Sequence, residues 1–349
     1  MKRVLVIQPF LSYGGAEAVS VGIAKYLQTK GYETKVLALY TKKSTAHNLN
    51  QVKVLTPKFI DNILKSNKFI FLLLGFPILF FLVLKHSKDA LLLNPHNFPT
   101  LWIAVIVGKL RNIPVYWTVH NFPQSNSDFM DKLFARNCQK IIAVSEKVKR
   151  QIHDKLGIEA TVSHPAIDFK FYSQGVDIRK KLGWEGKKIL LSVTRLKREK
   201  SINLLLSAFK KVKKKIKNAE LVLVGEGDLD LRKQEGVTLL GYKNPIQIRD
   251  LYKSCDLVVL PSHKTEGFNL VPFEAGSAGI RSIVIRGSGA DEVLEHEEIG
   301  FVSGQNSSDL AKRISSAIGD KKRLESSGLR IKSWIRKNLS EKNYHIYEI

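Results

Sequence analysis

Two glutamates, Glu266 and Glu274, are separated by seven residues in the run Glu266-Gly267-Phe268-Asn269-Leu270-Val271-Pro272-Phe273-Glu274. A carboxylate accepts hydrogen bonds from hydroxyls, so two of them at one place suit a sugar or a ribose diol. Gly267 permits a tight turn, and a helix expected over Leu270–Ala278 points the free N–H groups of 267–270 toward whatever lies beside Glu266. Glu274 falls about one turn into that helix, within reach of the same ligand. The plain alternative is a pair of exposed glutamates.

Two cations offer the opposite charge. Arg195 and Lys200 follow the apolar run Lys188–Val193. One is planar and forked and the other is a point charge, a combination that suits a diphosphate. They could neutralise the charge that develops on a departing diphosphate. Surface cations are common in this chain, so position carries the reading. His120 follows the apolar run Val115–Val119, and His96 stands similarly after Ala90–Leu93. In open α/β sheets ligands bind beyond the carboxyl ends of strands, where a histidine can bond a hydroxyl through either ring nitrogen. Gly14-Gly15 lies between a first apolar run and an amphipathic stretch. Such a turn brings backbone N–H groups and a helix N-terminus to an anion, although a plain tight turn explains it equally well.

These residues need elements to position them. Strands are expected at Val4–Ile7, Val36–Leu39, Ala90–Leu93, Val115–Val119 and Lys140–Val144. Helices are expected at Ala16–Lys30, stopped by Gly31, at Leu101–Leu110, and at Glu146–Lys155, capped by Ser145. The alternation then restarts. Strands are expected at Lys188–Val193, Glu220–Val224, Val237–Leu240, Leu257–Leu260 and Arg281–Ile285, with helices at Ile202–Lys217, Pro245–Ser254, 309–319 and 321–338. Strand–helix alternation predicts parallel sheets covered by helices on both faces. The periodicity lapses over 169–185, which places the joint between two domains: residues 1–172, residues 173–338, and a last helix over 339–349 packing back on the first.

The 349 residues suffice for two cores, and 44% apolar with 25% charged residues is a globular balance. Cys138 and Cys255 lie far apart, which gives no disulfide framework or close-spaced metal site and favours a reducing compartment. The net charge of +24 is spread, with +13 in residues 1–172 and +11 in the remainder. Anionic partners follow: nucleotide phosphates, lipid headgroups or nucleic acid, with simple solubility as the alternative. No aromatic-interleaved basic stretch marks a specific nucleic-acid site. In the run Lys210–Lys217, Val212 and Ile216 keep one face apolar, so the lysines read as a solvated face. Met1-Lys2-Arg3 runs into an apolar stretch that Pro9 and Gly14-Gly15 end too early for a secretory leader.

Phe69–Leu84 contains no polar side chain and is bracketed by Lys68 and Lys85. As a helix it reaches about 24 Å, short of the roughly 30 Å hydrocarbon core, and Pro77 kinks it. It is expected either as a buried helix or as a segment against an anionic leaflet. On the second reading Phe71, Phe76, Phe80 and Phe81 are the membrane contacts.

Several ordered motifs together resemble the group 1 (family 4) retaining glycosyltransferases over nearly the whole chain. The Glu266–Glu274 run is similar to the family signature. Ser192-Val193-Thr194-Arg195-Leu196 with Lys200 resembles its diphosphate segment, and Leu223-Val224-Gly225-Glu226-Gly227 its next strand and turn. Gly14-Gly15-Ala16-Glu17, Thr118-Val119-His120-Asn121, Ala143-Val144-Ser145-Glu146 and His164-Pro165-Ala166-Ile167-Asp168 resemble the N-terminal loop, the histidine loop and the run into the linker. Gly276-Ser277, Arg281 and Ala166 depart from the usual pattern without removing a charged site residue.

The resemblance implies a GT-B fold, two Rossmann-like domains facing each other across a cleft. It implies transfer of a sugar from a nucleotide-diphosphate sugar with retained configuration, without a metal or other cofactor. Glu266 would lie against the donor sugar near its 3-hydroxyl, Glu274 against the ribose, and Arg195 and Lys200 against the diphosphate. His120 would meet the sugar near its 6-hydroxyl. Gly14, Gly15, Gly225, Gly267, Phe268, Asn269 and Leu270 would complete the donor site. The apolar segment and the basic balance favour a lipid-linked or growing glycan acceptor, and a peripheral place on the cytoplasmic face of the membrane. A soluble acceptor and an inactive nucleotide-sugar-binding protein of the same fold are the alternatives.

Overall fold

The computed structural model describes residues 2–11, 14–41, 53–55, 75–96, 98–121, 128–229, 234–262, 266–319 and 321–349. The chain forms two compact units, one of residues 1–166 with Glu341–Ile349 and one of Ile167–Ser340.

The first unit winds β1 (Arg3–Ile7), β2 (Phe10–Leu11), α1 (Gly15–Thr29), β3 (Glu33–Leu37), β4 (Tyr40–Thr41), β5 (Lys53–Leu55), α2 (Phe76–His86), β6 (Ala90–Pro95), α3 (Phe98–Arg111), β7 (Tyr116–Val119), α4 (Asp128–Ala135), β8 (Lys140–Ala143), α5 (Glu146–Leu156) and β9 (Thr161–Val162). One sheet has the order β5-β3-β1-β6 and another β7-β8-β9, all parallel, and a Leu93–Val115 bridge joins them. Val4, Leu5, Val6 and Ile7 are fully buried, as expected for a central strand covered on both faces. Gly31, at a φ of +85°, ends α1 as expected, and Ser145 accepts a hydrogen bond from the Val148 N–H to cap α5. Winding runs outward in opposite directions from β1 and β6, so their carboxyl ends flank the switch point of the sheet.

The second unit winds α6 (Phe169–Ser173), β10 (Lys188–Val193), α7 (Ile202–Lys215), β11 (Ala219–Val224), β12 (Val237–Leu239), α8 (Pro245–Ser254), β13 (Leu257–Leu260), α9 (Val271–Ser277), β14 (Ser282–Ile285), α10 (Asp291–His296), β15 (Phe301–Ser303), α11 (Ser307–Gly319) and α12 (Lys321–Asn338). Its parallel sheet has the order β12-β11-β10-β13-β14-β15, with a switch point between β10 and β13. On α7, Ile202, Leu205, Ala208, Phe209 and Val212 are buried at helical spacing against the sheet and α11, while Lys210, Lys211, Lys214 and Lys215 are exposed. The lysine run is therefore a solvated face. Phe209 alone is worth ~3–5 kcal/mol against truncation to alanine.

Two boundaries differ from the sequence reading. Residues 167–172 belong to the second unit, because α6 packs on α8 and α9 and Asp168 caps it by accepting from the Phe171 N–H. The C-terminal segment is a 3-10 helix over Glu341–Tyr347 within the first unit. Three residues per turn place Tyr344 and Tyr347 on one side, and both are buried. Short elements such as β9, β15 and α10 have no period to find and were not expected. Gly276 and Arg281 are accounted for by packing. A Cβ on Gly276 meets Ile331 of α12 at 2.5 Å, so glycine lets the helices approach. The Arg281 guanidinium lies 3.9 Å from the Phe301 ring centre, and the Ala166 N–H donates to Tyr344.

Residues 69–74 of the apolar segment, with Phe71, lie outside the described residues. The remainder forms α2, with Leu79 and Val83 buried, Phe76 and Phe80 half-buried, and Phe81 65% exposed. Phe76 packs edge-on against Trp102 of α3. Among the described residues no helix is long and apolar enough to cross a membrane.

Candidate active site

At the switch point of the second unit, the chain leaves β10 through Thr194 and Arg195 and turns through Arg198–Lys200. The turn after β11 fixes this path. Gly225 has a φ of +140°, and a Cβ there would stand 1.9 Å from the Thr194 carbonyl oxygen; at Gly227 it would stand 2.0 Å from that of Leu196. The Leu196 N–H donates to the Glu226 carbonyl at 2.9 Å. Gly225 thus acts through backbone approach: it lets one turn lie on the other, and Arg195 is presented exposed from the pair.

Glu266 enters from the far side of the switch point, beyond β13. Lys200 is buried and its ammonium donates to the Glu266 carboxylate, an ion pair between the two strand ends. The loop that carries Glu266 is pinned twice. Gly289, with φ +79°, passes so close that a Cβ would meet the Gly267 carbonyl oxygen at 2.0 Å. Phe268 stacks on Phe273 at 5.0 Å, and Phe273 on Trp334 at 6.2 Å. Leu270 is buried. The Asn269 side-chain oxygen accepts from the Val271 N–H at 3.1 Å, so it satisfies the start of α9.

Glu274 is partly buried and its Oε2 accepts from the Tyr252 hydroxyl at 2.8 Å; Tyr172 of α6 hydrogen-bonds the same carboxylate. Burial pushes the Glu274 carboxyl above its ordinary value against the lowering effect of the two tyrosines. The tyrosine pair was not foreseen. Tyr252 comes from the last turn of α8, 22 residues from Glu274, and nothing in the sequence marks it as a partner.

In the first unit, Gly14 is the extended residue before α1 and Gly15 its first helical residue. The Gln8 side chain donates to the Ala16 carbonyl at 3.2 Å, tying the end of β1 to the helix start. Across the switch point, the His96 N–H donates to the Ile7 carbonyl at 3.1 Å. His96 and His120 are buried and meet edge to edge, their ring centres 5.0 Å apart and their planes 21° from parallel, with His96 Nδ1 2.7 Å from His120 Nε2. His96 Nε2 lies 2.8 Å from Asn94 Oδ1. The Asn94 amide donates to the Tyr116 carbonyl at 2.5 Å and to the Thr118 hydroxyl at 2.9 Å, and Thr118 bonds the Tyr347 hydroxyl at 2.9 Å. Burial pushes the His120 imidazole down to about 3, and burial with the neighbouring His120 holds His96 well below its ordinary value. Both rings are neutral at physiological pH. Asn94 was missed, although a polar residue ending the run Ala90-Leu91-Leu92-Leu93 was its signal.

The structure therefore brings Glu266 to Lys200 across the switch point that Arg195 also borders, and places Gly225, Gly267, Phe268, Asn269 and Leu270 in the loops that hold them. It pairs His120 with His96 at the corresponding edge of the first unit. Among the described residues no group of three or more His, Cys, Asp or Glu could hold a metal ion.

Two Rossmann-like α/β units, each with candidate ligand-binding residues at the carboxyl edge of its sheet, define the class. A sequence model described as Glycosyltransferase Family 4 matches residues 13–171, and one described as Glycosyl transferases group 1 matches residues 176–334. The chain belongs to the group 1 (family 4) glycosyltransferases, with the two Rossmann-like domains of the GT-B fold. It is similar to an uncharacterized glycosyltransferase of Methanocaldococcus jannaschii, 31% identical over 204 residues, 53% of this chain and 52% of that protein. It is also similar to the lipopolysaccharide 1,2-N-acetylglucosaminetransferase of Salmonella typhimurium, 29% identical over 210 residues, 54% of this chain and 55% of that protein. These matches span about half the length of the curated relatives. The crystal structure of Anabaena HepE in complex with UDP-glucose has the same fold, with a TM-score of 0.81 at 19% identity, covering 99% of this chain and 98% of that one.

Proposed function

We propose that the protein is a retaining glycosyltransferase that moves a sugar from a nucleotide-diphosphate sugar to a lipid-linked or growing glycan acceptor. The observation that carries this reading is the Lys200–Glu266 ion pair at the switch point beside Arg195. Without donor the two charges neutralise each other. With donor, the diphosphate draws on Lys200 and Arg195, and Glu266 is released to accept from a sugar hydroxyl near position 3. Glu274, steadied by Tyr252 and Tyr172, accepts from the ribose diol. Gly14, Gly15, Gly225 and Gly267 admit the backbone close to the phosphates, with Phe268, Asn269 and Leu270 shaping the donor site. His120 is assigned a hydroxyl of the transferred sugar.

In the reaction the bond from the anomeric carbon to the diphosphate oxygen breaks, and the acceptor oxygen bonds that carbon on the same face. The acceptor proton passes to the leaving diphosphate. Arg195 and Lys200 stabilise the charge left on that diphosphate, so the reaction needs no metal. The Salmonella relative is named for lipopolysaccharide and HepE was crystallised with UDP-glucose, which supports a nucleotide-sugar donor and a glycan acceptor.

The surface of the first unit supports a membrane acceptor. Phe81 and Leu110 are 65% and 66% exposed, Lys85, Lys109 and Arg111 are exposed, and Arg111 donates to the Leu84 carbonyl, which joins the ends of α2 and α3. Exposed apolar side chains flanked along their helices by cations suit the anionic cytoplasmic leaflet, with the protein peripheral on it.

The test is a thermal-shift screen of nucleotide sugars, followed by transfer with the donor that stabilises the protein. Glu266→Ala is expected to lower transfer by roughly 100-fold or more, EDTA to leave it unchanged, and product NMR to show retained configuration. Transfer undiminished by Glu266→Ala defeats the site assignment. Sedimentation with anionic liposomes, lost in Phe81→Asp/Leu110→Asp at unchanged melting temperature, tests the membrane surface; wild-type protein left in the supernatant defeats it.

A further inference from the structure

The buried polar chain behind His120 fixes where its proton sits. It can be traced from an atom with only one possible role. The Tyr116 backbone carbonyl accepts and cannot donate, so the Asn94 atom 2.5 Å away is the amide nitrogen. The flipped amide would set two acceptor oxygens 2.5 Å apart in a buried place, where their lone pairs repel. Asn94 Oδ1 therefore faces His96 Nε2 at 2.8 Å, and that nitrogen must carry a proton. Burial keeps His96 singly protonated, so its Nδ1 is bare. His120 Nε2, 2.7 Å from that bare nitrogen, must then be the donor. Since His120 is also neutral, its remaining nitrogen is left as an acceptor.

We infer that Asn94 and His96 act as positioning residues that hold His120 with its proton on Nε2, so that Nδ1 accepts a hydrogen bond from a hydroxyl-bearing ligand and repels a phosphate or carboxylate oxygen. The chain Tyr116 carbonyl–Asn94–His96–His120 runs through side chains that are all buried, from the strand ends of β6 and β7. Thr118 and Tyr347 lock the Asn94 amide from behind. The wiring decides the class of ligand by proton count: a sugar hydroxyl brings the hydrogen that Nδ1 lacks, whereas an anionic oxygen brings none. The assignment to a sugar hydroxyl rests on the function proposed above; the wiring itself does not.

The experiment is 15N NMR of the full chain labelled at histidine, with the two rings identified by loss of signal in His96→Gln and His120→Gln. The expected ligand-free spectrum at neutral pH has protonated Nε2 and bare Nδ1 on both rings. A glutamine at 96 can donate to Asn94 and accept from His120, so His96→Gln is expected to keep the His120 pattern and to keep kcat/KM within about threefold. A folded His96→Leu is expected to mix the His120 tautomers and lower kcat/KM by roughly tenfold or more. Addition of UDP-glucose, or of the nucleotide sugar selected by the screen, at a concentration that raises the melting temperature is expected to move the bare Nδ1 resonance without protonating it. A proton on His120 Nδ1 in the wild type overturns the wiring, whatever the protein transfers. An unaltered His120 pattern and kcat/KM in His96→Leu overturns the positioning role. Correct wiring with an Nδ1 resonance indifferent to the bound nucleotide sugar overturns the hydroxyl assignment and the reading of His120 beneath it.

Discussion

The histidine pair makes stability in acid a quantitative matter. An unfolded histidine takes up its proton near pH 6.5, whereas folded His120 does so only at about 3 and folded His96 well below its ordinary value. Below pH 6.5 the unfolded chain therefore binds more protons than the native one, and stability falls as pH falls, at up to about 1.4 kcal/mol per pH unit for each ring. Taking each ring as unprotonated in the fold, lowering pH from 7 to 5 costs about 2 kcal/mol per histidine and about 4 kcal/mol for the pair. This is a large part of the ~5–15 kcal/mol that holds a domain. The assay is urea unfolding at pH 7 and pH 5, with Trp184 and Trp334 replaced by Phe so that Trp102 and Trp117 report the first unit alone. His96→Gln/His120→Gln in the same background removes both sites, and the difference between the two proteins isolates their contribution. That difference is expected to shrink by about 4 kcal/mol on going from pH 7 to pH 5, and by about half as much for His120→Gln alone. A difference constant to within about 0.5 kcal/mol between the two pH values refutes the claim that the rings are buried and neutral.

Three further outcomes follow from the geometry. Gly225→Ala places a Cβ 1.9 Å from the Thr194 carbonyl at a φ of +140°; it is expected to cost about 2–4 kcal/mol in unfolding of the second unit and to weaken nucleotide binding by displacing Arg195. Burial raises the Glu274 carboxyl, so that group loses its charge at a higher pH than an ordinary glutamate; nucleotide affinity measured by calorimetry is expected to weaken as pH falls through this raised value, and Glu274→Gln to bind weakly without that pH dependence. Tyr344 packs 3.2 Å from the Cβ position of Gly22 and accepts from the Ala166 N–H, so Tyr344→Ala is expected to lower the stability of the first unit by about 3–5 kcal/mol in the same urea assay.

What could be read from the sequence, and what could not, divides along a physical line. Lys188–Val193, Pro245–Ser254 and Leu257–Leu260 were placed to the residue, because each is a run long enough to carry its own period and its own stop signal. The positions of Glu266, Lys200 and His120 just past the carboxyl ends of strands were legible because the strand ends were legible. What escaped was set by contacts distant in sequence. The strand β15 and the helix α10 are three and six residues long and carry no period, yet the turn before α10 supplies Gly289, the residue that holds the Glu266 loop. Tyr252 and Tyr172 reach Glu274 from two other helices, and a tyrosine near a helix end carries no sign of a carboxylate 22 residues further on.

Asn94 lies between these cases. An amide at the end of an apolar parallel strand must find partners inside the protein, because burial without them costs more than the strand gains from its neighbours. The sequence could thus have required partners for Asn94 without naming them. The partners are Tyr116, Thr118 and His96, which come from the adjoining strand and from two residues onward, and their roles are fixed only when the sheet order is known. A single backbone carbonyl, unable to donate, then sets the protons on two histidine rings. The chemistry offered by His120 is therefore a property of the register between β6 and β7, and changing that register without changing His120 changes what the residue can bind.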